Sequence, residues 1–378
     1  MSAPFSGQEQ GKELVDKLYR TGGLTKEEFC ELIKKRGKET ERYARKLACQ
    51  VREKVYGNQI YIRGLIEFTN YCKNDCYYCG IRKSNGNAQR YRLKQEDILE
   101  CCEEGYGLGF RTFVLQGGED GYFTAERMEK IIRTIKKRFP DCALTLSVGE
   151  KDEETYRVYR EAGADRYLLR HETADEAHYR KLHPENLSLK HRKDCLWTLK
   201  KLGFQTGAGF MAGSPGQTEE TLAEDFLFLR ELQPEMVGIG PFIAHRDTPF
   251  RDEPDGTLED TLFYLALTRL MMPRVLLPAT TALGTIHSGG RELGILSGAN
   301  VVMPNLSPVS VRKKYMLYDG KICTGDEAAE HLSDLGRRME KIGCRIVTDR
   351  GDFRKDIPGE SGRTRKKIKK EKRSSVNV

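Results

Sequence analysis

Three cysteines fall within one short stretch, Cys72-Lys73-Asn74-Asp75-Cys76-Tyr77-Tyr78-Cys79, spaced C-x3-C-x2-C with an aromatic directly before the third. Three thiolates this close fit three corners of one [4Fe-4S] cluster, whose fully ligated form takes four cysteines. No fourth is at hand, because the next two, Cys101 and Cys102, are adjacent in a run that reads as helix. An iron with an open position binds a small molecule, so the chemistry on offer is electron transfer to a ligand of that iron. A structural zinc site wants a second cysteine pair or added histidines. A disulfide wants an oxidising compartment and a secretory signal. The N-terminus Met1-Ser2-Ala3-Pro4-Phe5 lacks the layout of such a signal. Cys72, Cys76 and Cys79 are therefore read as metal ligands and the catalytic centre, in a reducing cytoplasm.

Something must hold that loop. The preceding run, residues 60–68, is apolar and β-branched and reads as a strand. From residue 59 onward such runs alternate with helical segments. Strands are expected at 60–68, 112–116, 143–148, 166–170, 205–210, 236–240, 275–279 and 300–303. Helices are expected near 95–106, 124–138, 152–162, 188–202, 218–231, 257–272, 285–296 and 325–342. Strict alternation implies parallel pairing, and eight such units fit an α/β fold of (β/α)8 TIM-barrel type. A doubly wound open sheet has the same pattern and stays open here. Residues 8–57 read as helices, with a capping box at Thr25–Glu28. The expected division is a helical extension over 1–57, a barrel over 58–350 and a basic tail over 351–378.

In a parallel barrel the active site gathers where the strands end. The expected ends carry Gln116-Gly117-Gly118-Glu119, Ser147, Arg170-His171-Glu172, Met211, Thr280-Thr281 and Met303-Pro304-Asn305. Arg170 can clamp a carboxylate in two places, and Glu172 can face an amino group. Both also read as a rim ion pair. Thr280 and Thr281 suit a carboxylate or simply cap the next helix. His171, His178 and His183 are given no metal.

Composition narrows the class. The chain has 378 residues and a net charge of +8. Residues 363–373 hold eight Lys/Arg against one acid, so +7 sits there and +1 elsewhere. The basicity is thus a tail, read as solvated and disordered, and no nucleic-acid role is assigned. No apolar run approaches the ~18 residues of a membrane span.

Several stretches resemble the HydE family of radical S-adenosylmethionine (SAM) maturases of [FeFe]-hydrogenase. They are Ile62–Cys72, Cys79-Gly80-Ile81-Arg82, Leu115–Asp120, Arg170–Ala174, Leu277–Leu283 and Gly298–Asn305. The cysteine spacing alone marks only the superfamily; the Pro278-Ala279-Thr280-Thr281-Ala282 and Ala299–Asn305 runs are more specific. The likeness spans roughly residues 40–350. It implies one [4Fe-4S] cluster on Cys72, Cys76 and Cys79, with SAM on the open iron and reductive cleavage to a 5′-deoxyadenosyl radical. It implies a SAM pocket of Tyr78, Gln116, Ser147, Arg170, Glu172, Arg192, Met211 and Met303. The implied substrate is a small organometallic, a cysteine-bound Fe(CO)2(CN) precursor of the H-cluster diiron site. Arg63, Thr280 and Thr281 are the candidates for its carboxylate. The implied partners are other hydrogenase maturation proteins and a reductant such as ferredoxin or flavodoxin, acting on a monomer. Only Cys323 and Cys344 follow residue 300, so no second cluster is expected. Biotin synthase would need cysteines inside the barrel, and Cys142 and Cys195 are wrongly placed for that. Methylornithine synthase remains an alternative, as does a non-catalytic iron–sulfur scaffold; a scaffold would not need Gln116, Arg170 or Glu172.

Overall fold

The computed structural model describes residues 7–322 and 329–355. The tail expected to be disordered lies outside them, apart from its first residues, as does Cys323. Three helices come first: α1 (Gly7–Thr21), α2 (Lys26–Lys34) and α3 (Lys38–Tyr56). The Thr25 hydroxyl and the Glu28 carboxylate cap α2 reciprocally, as the sequence indicates. α1 and α3 pack on the later helix Leu258–Met271 and α2 on the helix Glu219–Leu232, so that they clad one side of the barrel.

The strands are β1 (Gln59–Ile62), β2 (Gly64–Thr69), β3 (Thr112–Gly117), β4 (Ala143–Ser147), β5 (Arg166–Leu168), β6 (Gln205–Ala208), β7 (Met211–Ala212), β8 (Met236–Val237), β9 (Gly240–Pro241), β10 (Val301–Val302) and β11 (Arg345–Val347). The helices after α3 are α4 (Gln95–Gly107), α5 (Ala125–Arg138), α6 (Glu153–Ala162), α7 (Glu176–Leu182), α8 (Leu189–Lys201), α9 (Glu219–Leu232), α10 (Leu258–Met271), α11 (Thr281–Ile286), α12 (Gly290–Ile295), α13 (Val309–Arg312) and α14 (Leu332–Lys341). Side chains of Thr124, Asp152, Ser188, Thr218 and Thr257 cap the starts of α5, α6, α8, α9 and α10.

All strand pairs are parallel, and β2-β3-β4-β5-β6-β8 form one continuous ladder. The ring closes through residues 275–279, which make bridges rather than a ladder: Met236 pairs with Leu276, and Pro278 with Val301. Pro278 has no N–H to give, which limits pairing there. β10 pairs with β1, and Leu65 bridges Asn305. The barrel is therefore closed, and the open-sheet alternative falls.

Two expectations need correction. The strand expected over 60–68 breaks at Arg63, so that its first half pairs with β10 and β11 and its second with β3. Gly64 permits the turn of register, since a Cβ there would lie 2.1 Å from Leu306 Cδ1. Residues 351–355, expected to belong to the tail, pack onto the barrel. β11 pairs with β1, and the chain then crosses the N-terminal end of the barrel. Asp352 accepts from Arg166 (2.7 Å) and Gln205 (2.9 Å), while Arg350 pairs with Asp165 (3.0 Å). These partners begin β5 and β6, so residues 348–355 plug the barrel floor.

Burial works to raise the Asp352 carboxyl and is the largest single influence, but the Arg166 charge and the hydrogen bonds from Gln205, Arg350 and Arg166 together outweigh it and hold the carboxyl well below the usual range. A depressed native pKa gives stability that is complete above the unfolded pKa of about 4 and is lost as pH falls through the native value. Urea midpoints measured downward from pH 5 should therefore fall faster in the wild type than in Asp352→Asn; parallel curves would refute this role for Asp352. The side chain is 40% exposed, so the difference is expected to be shallow.

Candidate active site

A cavity of ≈ 330 Å³ opens at the C-terminal end of the barrel. That is within the range of small-ligand sites. Cys72, Cys76 and Cys79 line it, with Tyr78, Gln116, Arg170, Glu172, Arg192, Met211, Thr280, Thr281 and Met303.

The cysteine loop is pinned from several sides. The Lys73 N–H donates to Glu119 O (2.9 Å), Tyr77 N–H to Leu182 O (3.0 Å) and Gly80 N–H to Leu317 O (2.8 Å). Arg90 staples it, donating to the carbonyls of Asn70 (2.5 Å), Ile81 (2.9 Å), Arg82 (2.6 Å) and Asn85 (3.2 Å). Gly118 lets the end of β3 press against the loop; a Cβ there would sit 2.2 Å from Tyr71 O. This requirement for a missing side chain is stronger than a plain turn would impose.

The donor set can be tested against a cluster. Among the described residues no three His, Cys, Asp or Glu side chains converge on one point, as a single metal ion would require. A cuboidal cluster takes each thiolate at a separate corner, so spread thiols on one wall suit it better. Burial raises all three thiols, Cys76 to about 12 and Cys79 well above the ordinary thiol range. Their charged forms therefore call for a cationic partner inside the cavity, which iron supplies. The residues fit the group.

The rest of the wall is polar and incompletely satisfied. Arg170 pairs with Glu172 at 2.8 Å, so the rim ion pair exists and faces the cavity. Arg170 Nε and Nη2 and Glu172 Oε2 are nonetheless buried outside hydrogen-bond geometry. Glu172 has a left-handed backbone, φ 65°, uncommon for a residue with a Cβ. Its N–H donates to Gly209 O (3.0 Å), and Gly209 N–H donates to His171 Nδ1 (3.3 Å). With Nδ1 accepting, the His171 proton is assigned to Nε2, which lies 3.3 Å from Asp225 Oδ1. Asp225 also receives Ala174 N–H at 2.6 Å. This buried pair braces the strained turn that presents Glu172. Arg192 pairs with Glu150 and donates to Arg170 O (3.2 Å). Tyr78 is set by His183: the ring's Nδ1 faces Tyr179 O (3.0 Å) and must donate, leaving Nε2 to accept the Tyr78 hydroxyl (3.2 Å). Burial pushes His183 down to about 3, consistent with a neutral ring.

Two expected residues are elsewhere. Ser147 ends β4, partly buried, and is not on the cavity wall. Arg63 faces the same way as Leu65 but one step deeper, where its guanidinium contacts Met236 Sδ (3.0 Å). Its Nε and Nη2 are buried without partners, and it does not meet the threonine pair at the rim. Thr280 plays both expected parts, capping α11 while lining the cavity.

The sequence reading missed Glu67, Tyr315 and Lys321. Glu67 is an inward-facing charge on the apolar strand β2, which was a usable signal. Lys321 gave none, lying 254 positions away, yet its Nζ meets Glu67 Oε1 at 2.6 Å. It arrives on a strap, residues 313–322, that crosses the barrel mouth. Cys344 is at the other end of the molecule, where Arg52 donates to its sulfur (3.1 Å).

Comparison with known proteins gives consistent results. The family model of the radical SAM superfamily matches residues 66–229. The chain is 44% identical over 341 residues to the [FeFe] hydrogenase maturase subunit HydE of Thermotoga maritima, covering 90% of this chain and 97% of that one. It is 30% identical to 3-methylornithine synthase of Methanosarcina barkeri, over 88% and 93% of the two chains. The crystal structure of methylornithine synthase superposes with a TM-score of 0.77 at 28% identity, over 88% of this chain and 97% of that one.

Proposed function

Because the chain belongs to the HydE family of radical SAM enzymes, we propose that it cleaves SAM reductively and acts on a cysteine-bound Fe(CO)2(CN) precursor during assembly of the hydrogenase diiron site. The observation that carries this reading is convergence: three thiols, the Arg170–Glu172 pair and Arg192 share the wall of one closed-barrel cavity.

Cys72, Cys76 and Cys79 would hold a single [4Fe-4S] cluster, which when bound supplies one electron to the sulfonium of SAM. Glu172 offers the amino group of SAM an acceptor, and Arg170 and Arg192 offer its carboxylate donors. Tyr78, fixed by His183, and Met211 give the adenosyl part an apolar wall, with Gln116 as a polar contact and Met303 beyond. Ser147, off the wall, would reach SAM only if its side chain turned inward. Thr280 and Thr281 would take the cysteine carboxylate of the substrate, without Arg63, which lies off the cavity wall. The strap with Tyr315 and Lys321 shields the cavity from bulk water.

The protein is read as a cytoplasmic monomer that meets other maturation proteins transiently and draws electrons from ferredoxin or flavodoxin. Among the described residues no helix is long and apolar enough to cross a membrane.

The test is anaerobic. Reconstituted protein should hold about four irons per chain. With dithionite and SAM it should release 5′-deoxyadenosine. With the iron–carbonyl–cyanide complex added, the infrared CO and CN bands should shift in step with turnover. Formation of 3-methylornithine with unchanged bands would assign the chain to the other relative's reaction. A reproducible iron count well above four would refute the single cluster.

A further inference from the structure

Reductive cleavage of a sulfonium balances only with one electron from outside. The C–S bond breaks, methionine leaves with both its lone pairs, the 5′ carbon keeps one electron, and an external donor is oxidised by one. The structure limits where that donor can stand. The Cys79 side of the loop is covered by the strap, through Gly80 N–H to Leu317 O, and the Tyr77 side by the end of α7, through Leu182 O. The Cys72 side reaches the surface.

There, cations face outward and their carboxylates face inward. The Lys73 side chain is 66% exposed while its partner Glu119 is 6% exposed. Arg92 is 34% exposed while its partner Asp120 is 3% exposed. The Arg92 guanidinium lies over the Tyr71 ring at 3.8 Å and over Tyr122 at 4.8 Å, and the Arg127 guanidinium lies over Tyr122 at 4.0 Å. Tyr122 is 47% exposed, one of few large apolar side chains so placed. Tyrosine and arginine together are what protein interfaces select. Tyr71 and Lys73 flank Cys72 in the chain, so a partner seated here stands against one corner of the proposed cluster.

We propose that this surface, Tyr71, Lys73, Arg92, Tyr122 and Arg127, docks a small acidic electron-carrier protein. The proposal rests on the radical SAM reading and names the partner face of that site. Buried counter-charges leave the outward potential positive, which steers an acidic partner and sets its orientation.

Flavodoxin is the probe. Its affinity for the reconstituted protein should be measured by titration calorimetry across a salt series, beside dithionite-driven and flavodoxin-driven release of 5′-deoxyadenosine. Tyr122→Ala and Arg127→Glu should each weaken binding by about tenfold, and Arg127→Glu should also flatten its salt dependence. Dithionite-driven release should be unchanged in both. Lys341→Glu, an exposed change at the opposite end of the barrel, should bind like the wild type. Wild-type affinity in both variants overturns the assignment, as does a wild type that turns over with dithionite but binds no flavodoxin. Failure with dithionite itself overturns the radical SAM reading, and this surface falls with it.

Discussion

Cys76→Ala is expected to reduce bound iron from about four per chain to near none and to abolish 5′-deoxyadenosine release. The reason is ligand count. Three protein thiolates are already one short of a full set, and an open iron leaves no spare. Two thiolates would leave two irons exposed to solvent and oxidant. The backbone does not depend on this side chain, since the Cys76 carbonyl accepts Cys79 N–H (3.3 Å) whatever follows Cβ. The variant should therefore keep the wild-type circular dichroism and urea midpoint of the apoprotein. Cys195→Ala, at a buried position on α8, should keep its iron and serves as the control. A Cys76→Ala protein that holds four irons and still cleaves SAM would remove the cluster assignment.

Lys321→Met is expected to cost about 3–5 kcal/mol, because it strands a buried carboxylate. The pair is dry: Glu67 is fully buried and the Lys321 side chain is 5% exposed. Asn305 Nδ2 occupies the other carboxylate oxygen at 3.0 Å, but a neutral amide does not offset the charge. Lys321 also donates to Tyr315 O (3.0 Å), so its loss frees the strap from the barrel. The double change Glu67→Leu with Lys321→Met removes both charges and should recover most of the stability, since an apolar replacement of a buried pair is often neutral. Urea unfolding of the four proteins in this cycle gives the coupling directly. A single-variant cost below about 1 kcal/mol would mean that water reaches the pair. Trypsin cleavage within 313–322 should accelerate in Lys321→Met and return toward the wild-type rate in the double variant.

The two cases differ in how they could be read. Cys72, Cys76 and Cys79 declare themselves because cluster ligands must lie close in sequence to share one loop, so spacing carries chemistry. The helices were legible for a similar local reason: a Thr or Asp cap followed by apolar residues at 3,4 spacing fixes a helix whatever surrounds it, as at Thr25, Thr124 and Thr218. Parallel strands were legible through their alternation with those helices. Polar groups at strand ends were legible as a set, and Gln116, Arg170, Glu172 and the threonine pair do share one cavity.

Closure of the sheet was not legible, because it depends on hydrogen bonds between segments as distant as Leu65 and Asn305. The break at Arg63 was hidden for the same reason: an apolar run does not say that its two halves pair with different neighbours. Helix α7 has only seven residues, too few to show an apolar stripe in the sequence, and the plug at Arg350 and Asp352 lies beside a basic run that gives no sign of it. Sequence alone thus determined the local units: the cluster loop, the helices and the family, each fixed by residues near one another in the chain. Only the tertiary structure decided that Glu67 and Lys321 meet, that His171 and Asp225 brace Glu172, and that cations rather than their carboxylates face outward beside Cys72. Those are pairings across the fold, set by which side chains the closed barrel brings within bonding distance and by how much water it leaves them.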